Sequence, residues 1–212
     1  MSGAEFLAVV GGISAILNIA DAIADIYKTI KDIHGLPEAF SVVNGRLPIV
    51  KDILESTKRH IDAVQDEAVC KGIKHIVVQC EMSTKMLNEI FEKVKPDDGA
   101  WKVERYWKAV KAKGKGHKVE TLMADILVDI QLLDSQHGMN TATEDQQKEI
   151  MAAIKELSEV QPSVPDSEFH EAGVTMNQSG SGTQQYTAKG NVYSSGGGKQ
   201  FNAERQYFGK ED

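Results

Sequence analysis

Few residues in this 212-residue chain have the types and spacing that catalysis or metal binding requires. The six histidines show no His-x-x-x-His spacing, and Cys70 and Cys80 do not form the Cys-x-x-Cys pattern of a zinc site. Cys70 and His75 are five residues apart, which puts a nucleophile and its base on different faces of a helix. The glycine-containing run 113–117 lacks the spacing and the preceding strand of a phosphate-binding loop. The sequence therefore predicts no enzyme, no metal site and no cofactor.

Charge and cysteine use limit the class of partner and the compartment. The formal net charge is −7, and residues 161–212 hold four basic and six acidic residues, so −5 belongs to residues 1–160. An acidic body disfavours nucleic-acid binding, which depends on neutralising phosphates. Cys70 and Cys80 would lie about 15 Å apart along one helix, too far to bridge. Two free thiols are typical of a reducing, intracellular compartment.

Basic and aromatic residues crowd the segment 101–118. Lysine and arginine beside interfacial aromatics suit an anionic lipid surface. The alternative is a solvated helix end whose tryptophans cover the core. The residues expected to contact lipid are Trp101, Lys102, Arg105, Trp107, Lys108 and Lys111.

The segment 6–20 carries no charged residue. Its apolar stripe continues with helical spacing to Ile33, opposite polar residues, which predicts one amphipathic helix ending near His34-Gly35. Glu5 precedes the run and no basic residue occurs before Lys28, so it does not have the pattern of a signal peptide. Fifteen residues rise about 22 Å, which is short of a full membrane span.

Two interpretations of this first helix stay open, and they are compatible in different states. It is the central helix of a soluble bundle, or it leaves the bundle and enters a membrane, where small residues let helices approach closely. The residues assigned to membrane insertion are Phe6, Leu7, Val9, Val10, Gly11, Gly12, Ile13, Ile16 and Leu17.

Helical periodicity fills the rest of residues 1–160, with no alternating run before residue 176, which predicts an all-α bundle of about five helices. Pro48 is expected to kink or break the second helix, and Gly114 and Gly116 to weaken the fourth. Pro162 and Pro165 are expected to end the bundle. The remaining helices are expected at about 37–61, 67–94, 101–133 and 143–157, the last with Thr143 as N-cap and Gln146 completing a capping box.

Beyond a linker at 161–176, residues 177–209 contain eight Asn or Gln, seven Gly and one aliphatic residue larger than alanine. Such a segment buries too little apolar area to offset chain entropy, so alone it is expected to be disordered. Amides interleaved with aromatics are also typical of stacked cross-β assemblies. A flexible tail with no ordered state is the alternative.

The tail repeats itself weakly: GSGTQ at 180–184 is echoed by GGGKQ at 196–200, and an aromatic follows each glutamine closely. This pattern, with FNA at 201–203, resembles the σ-type amyloid signalling motif of fungal death-pathway proteins. The first copy departs from the motif, since Gln185 intervenes before Tyr186. The residues that carry the resemblance are Gly180, Gly182, Gln184, Tyr186, Asn191, Gly198, Gln200, Phe201 and Asn202.

The opening AEFLAVVGGISAILNIADAI at 4–23 resembles the start of HeLo-like domains of fungal cell-death proteins, over about residues 1–140. The resemblance implies a cytoplasmic effector held inactive as a soluble bundle. A NOD-like receptor with a matching motif would template the tail into amyloid, and the clustered bundles would release the first helix into the plasma membrane. The implied partners are further copies of the chain, that receptor and membrane lipid. The alternative is a soluble helical adaptor recruited through its tail, without membrane activity.

Overall fold

The computed structural model describes residues 3–95, 103–136, 139–169, 184–188 and 191–195. The chain divides into two compact units, 1–170 and 171–212, which are described separately. The first unit is an all-α bundle, which confirms the predicted fold class. Short 3₁₀ turns lie at Lys115–His117 and Asp166–Phe169. The α-helices are α1 (Ala4–Ile30), α2 (Glu38–Val64), α3 (Glu67–Val94), α4 (Val103–Lys113), α5 (Val119–Ser135) and α6 (Glu144–Glu159).

Local sequence explains where two of these helices begin. The Asp66 carboxylate accepts hydrogen bonds from the backbone N–H groups of Ala68 and Val69 and so caps α3. Thr143 and Gln146 form the reciprocal capping box at the start of α6, as predicted. Both caps satisfy N–H groups that have no partner within the helix itself.

Two predicted details of the helices differ from the structure. Pro48 lies inside a continuous α2 with its ring on the exposed side, so it does not break the helix, and the predicted kink stays a prediction. The predicted fourth helix is two helices, because Gly114 has a φ of +98° and the next three residues form a 3₁₀ turn. A positive φ is available to glycine without strain, so Gly114 separates α4 from α5.

Four long helices make the core of the bundle. α1 packs against α2 and α3, and α5 packs against the same two helices, while α6 covers α5 and α2 and α4 lies on α3. The inward residues form one cluster of mostly Ile, Leu and Val side chains. At one end the Phe40 ring lies 5.0 Å from Phe91 and 5.1 Å from Tyr106, centroid to centroid.

The second unit contains a two-stranded antiparallel hairpin of β1 (Gln184–Ala188) and β2 (Asn191–Ser195). Tyr186 is paired with Tyr193 in its register. A hairpin of this size is marginally stable by itself in water. The prediction of disorder for the rest of the tail falls outside the described residues.

Candidate functional site

The first candidate site is α1, whose two faces have different surroundings. Val9, Ile13 and Ile16 are fully buried in the core and Gly12 is buried beside them, so four of the residues assigned to membrane insertion form the inner face of the resting bundle. Phe6, Val10 and Leu17 are half-buried against it. Leu7 is 69% exposed. The exposed side between residues 4 and 18 has no charged side chain except the half-buried Glu5, which pairs with Lys74 at 3.0 Å.

The adjacent glycines of α1 have different packing roles. A Cβ placed on Gly12 would lie 2.7 Å from Cγ1 of Val77 on α3, which is too close for two carbon atoms. Gly12 therefore permits the close contact of α1 with α3, and its presence is explained by the soluble bundle. A Cβ on Gly11 would meet nothing within 4 Å. The fold gives no packing reason for Gly11, which costs roughly 1 kcal/mol relative to alanine in a helix.

By length and composition, α1 is long and apolar enough to cross a membrane, the single such helix among the described residues. Its most apolar window has a mean hydropathy of 2.0, and a third of that window is buried. The core helix of a soluble protein passes the same test. Further along α1, Asp21 pairs with Lys51 of α2 at 2.5 Å and Asp25 pairs with Lys28 at 2.8 Å.

The second candidate site is the basic segment on α4. Arg105 and Lys108 are exposed, and Trp107 is half-buried against the core. Lys111 forms an ion pair with Glu168, so in this state it is not a free cation. Trp101 and Lys102 lie outside the described residues.

Residues 161–169, which the sequence assigned to a linker, pack on the bundle; we call them the strap. Val164 is fully buried and Ser163 nearly so. The Ser163 backbone N–H donates to Oε1 of Glu120 at 3.0 Å, and its hydroxyl hydrogen-bonds the buried hydroxyl of Tyr106. The packed unit therefore continues past residue 160 as far as the 3₁₀ turn that ends at Phe169.

The strap also neutralises three lysines: Lys111 of α4, Lys115 in the turn after it, and Lys118, which directly precedes α5. Asp166 accepts from Lys118 at 2.6 Å and lies 3.4 Å from the ammonium of Lys115. These hydrogen bonds, from Lys118 first and then Lys115, hold the pKa of Asp166 below its ordinary value. The Lys118 side chain is only 9% exposed, so it depends on this counterion. Its ammonium also lies 5.3 Å from the centroid of the Phe169 ring.

Sequence reasoning missed the strap because a short Pro-Ser-Val-Pro run has no helical or strand period. The one available signal was its composition. Two carboxylates, Asp166 and Glu168, follow within a few residues of the only aliphatic side chain in 161–169, and they are complementary to the basic segment 111–118.

The tail residues assigned to amyloid stacking are described only in part. Gln184 and Tyr186 belong to β1, and Asn191 begins β2. Gly180, Gly182, Gly198, Gln200, Phe201 and Asn202 lie outside the described residues.

The two cysteine thiols are removed from solvent. Both cysteines are free and buried, and burial raises the pKa of the Cys80 thiol to about 12. A thiol that stays protonated at neutral pH is a poor nucleophile. Within the described ranges, no three His, Cys, Asp or Glu side chains gather to hold a metal ion.

The SesA family model, described as an N-terminal domain on NACHT NTPases and P-loop NTPases, matches residues 13–133. This is more than half of the chain, and the protein belongs to that family. Comparisons with curated proteins and with solved structures found no match.

The family match runs from α1 almost to the end of α5. It places the bundle among domains found at the N-terminus of NACHT NTPases and P-loop NTPases, which agrees with the effector-type interpretation of the sequence. The tail at 177–209 lies beyond the match, so the motif there is supported by its own residues alone.

Proposed function

We propose that this protein is a membrane-permeabilising effector of programmed cell death. A NOD-like receptor with a matching motif templates the tail into amyloid, and the assembled bundles then insert α1 into the plasma membrane. The resting protein is cytoplasmic and moves to that membrane on activation. Its partners are further copies of itself, the receptor and membrane lipid.

The observation that supports this proposal best is the uncharged outer face of α1. In the bundle the inner face is removed from water, but Leu7 and its exposed neighbours between residues 4 and 18 are not. In a bilayer both faces would leave water, with a gain of about 25 cal/mol per Å² of apolar area. The opposing cost falls at Asp21 and Asp25, which would have to stay at headgroup level or in a wet interior.

Stacking of the tail supplies a physical reason for release. Cross-β layers repeat every 4.7–4.8 Å. With one layer formed by each of the two weak repeats of the tail, each bundle has about 10 Å along the fibril. Two packed helices alone are about 20 Å across. Bundles tethered at that spacing must crowd one another, and a helix that can leave the bundle relieves the crowding.

The family supports the receptor half of the proposal, because SesA domains are described on NACHT NTPases. A receptor that carries a matching motif would act on the tail rather than on the bundle. Amide ladders along the fibril axis would give the templating its specificity.

Dye leakage from liposomes tests the membrane function. We expect the full chain, seeded with preformed fibrils of a 177–209 peptide, to release dye from anionic liposomes, while unseeded chain releases little. Fibrils of the peptide alone are the control for nonspecific damage. Seeded protein that coats fibrils but leaves liposomes intact would favour the alternative, a soluble adaptor recruited through its tail.

A second test addresses the tail. Replacing Phe201 with proline removes a ladder hydrogen bond, and lysine at Gln184 and Gln200 stacks like charges, so both variants should lose seeded fibril growth. Thioflavin fluorescence follows the growth. Equal fibril growth of the Pro variant and the wild-type chain would contradict the role of the motif in amyloid formation.

A further inference from the structure

The strap holds three lysine ammonium groups around its own acidic and aromatic side chains. Lys115 and Lys118 converge on Asp166, and Lys111 pairs with Glu168. Both Lys115 and Lys118 also lie over the ring of Phe169, at 5.9 Å and 5.3 Å from its centroid. Carboxylates occupy the position where an external anion would meet the same three cations.

Lys118 shows that the cluster needs an anion. A nearly buried ammonium is costly without a partner, and Asp166 supplies the closest one. If the strap moved away, Lys111, Lys115 and Lys118 would lose the carboxylates that neutralise them. Lys113 would not join them, because it pairs with Glu89 of α3.

The surface next to the cluster extends it. A groove lined by Trp107, Lys108, Lys111 and Glu168 lies between α4 and the strap. Lys108 has no ion-pair partner within the part of the chain that the structure describes. A half-buried tryptophan beside exposed cations suits the boundary between headgroups and acyl chains.

We propose that Lys111, Lys115 and Lys118 form a binding site for the phosphate headgroups of anionic lipid, and that Asp166 and Glu168 occupy this site in the resting protein. The strap thereby masks the site and keeps the resting chain off membranes. This inference rests on the proposed membrane function but concerns binding alone, before any insertion of α1.

The test is sedimentation of the unseeded full chain with phosphatidylcholine vesicles, prepared with and without phosphatidylserine. Asp166→Asn with Glu168→Gln removes the two negative charges that hold residues 166–169 over the three lysines, so this end of the strap releases them, while the buried contacts of Val164 and Ser163 keep its first half on the bundle. Each lysine near an anionic surface contributes roughly a fivefold gain in binding. We expect on the order of a hundredfold tighter binding to phosphatidylserine vesicles, lost at high salt, and no gain on phosphatidylcholine alone.

A matched variant controls for net charge. Asp145→Asn with Glu159→Gln also removes two carboxylates and frees Lys148 and Lys155 of α6, on a surface that stays acidic. Adding Lys111→Gln, Lys115→Gln and Lys118→Gln to the strap variant should return binding to the wild-type level. Circular dichroism melts check that every variant is folded.

Binding of the strap variant no tighter than that of the α6 control would overturn the proposal. A strap variant that binds inorganic phosphate in solution without enrichment on vesicles would also overturn it, because the ligand would then be a soluble anion. Dye leakage is a separate readout. Tight binding of the strap variant without leakage on seeding supports the masked site and contradicts the proposed function. Leakage on seeding without tighter binding of the strap variant supports the proposed function and contradicts the masked site.

Discussion

α1 and α3 are neighbours of nearly equal length that both line the core, yet their outer faces differ. α1 has 27 residues and α3 has 28, and each buries a continuous stripe along its length. The outside of α3 interleaves its exposed Val78 and Met82 with lysines and glutamates. The outside of α1 between residues 6 and 20 has no charge at all. The difference teaches that bundle packing accounts for the inner face of α1 and leaves its outer face unexplained.

The largest expected effect tests whether the two inner faces are equivalent. Ile16 of α1 and Ile73 of α3 are both fully buried, so Ile16→Ala and Ile73→Ala should each cost about 2–5 kcal/mol of unfolding free energy. Thermal or denaturant unfolding measures both. Leu7→Ala is the control and should change stability by less than about 0.5 kcal/mol, because Leu7 is exposed. A small cost for Ile16→Ala alone would mean that α1 is only loosely held.

The next effect separates the two glycines of α1. Gly12→Ala should destabilise the bundle by about 1 kcal/mol net, because strain against the stiff Val77 side chain exceeds the gain in helix propensity. Gly11→Ala should stabilise it by a similar amount. Denaturant melts compare the two variants. In a Val77→Ala background the penalty at Gly12 should disappear, and a penalty that persisted there would rule out the α1–α3 contact as its cause.

The sequence assigns Gly11 and Gly12 to the same membrane-inserting segment, but their surroundings in the bundle differ. A variant with alanine at both positions combines a steric clash at Gly12 with a gain in helix propensity at Gly11. Only Gly11 is free of any packing role in the resting state.

The smallest expected effect is a pH-dependent change in the stability of the bundle, caused by Asp129 of α5. Burial, helped by the Asp125 carboxylate, raises the pKa of Asp129 to about 6 from an ordinary 3.8. The folded state then binds more protons than the unfolded state between these values, so stability falls as pH rises from about 4 to 6. Asp129→Asn should raise the Tm by roughly 2–4 °C at neutral pH. The gain should vanish near pH 4, and a gain of equal size at both pH values would contradict a titration at Asp129.

Much of the fold could be predicted because its signals are local. The bounds of α3 follow from the apolar stripe between Asp66 and Pro96, and the start of α6 follows from Thr143 and Gln146. The site was harder, because its features depend on residues distant in the sequence. Gly12 is explained only by Val77, and Lys111 has a partner only because the strap brings Glu168 to it. Neither contact has a spacing that a sequence pattern reveals.

The central claim is that α1, with its uncharged outer face, inserts into the membrane. Seeded liposome leakage with one matched pair of variants tests this claim most directly. Gly11 and Gly45 are both exposed helical glycines with open space beside them, so lysine at either should hold or raise the Tm. In a bilayer, lysine at position 11 would cost about 2.5–3.5 kcal/mol per inserted helix. We predict that Gly11→Lys abolishes leakage with fibril growth unchanged, while Gly45→Lys leaks like the wild-type chain. Equal leakage from both variants would contradict insertion of α1.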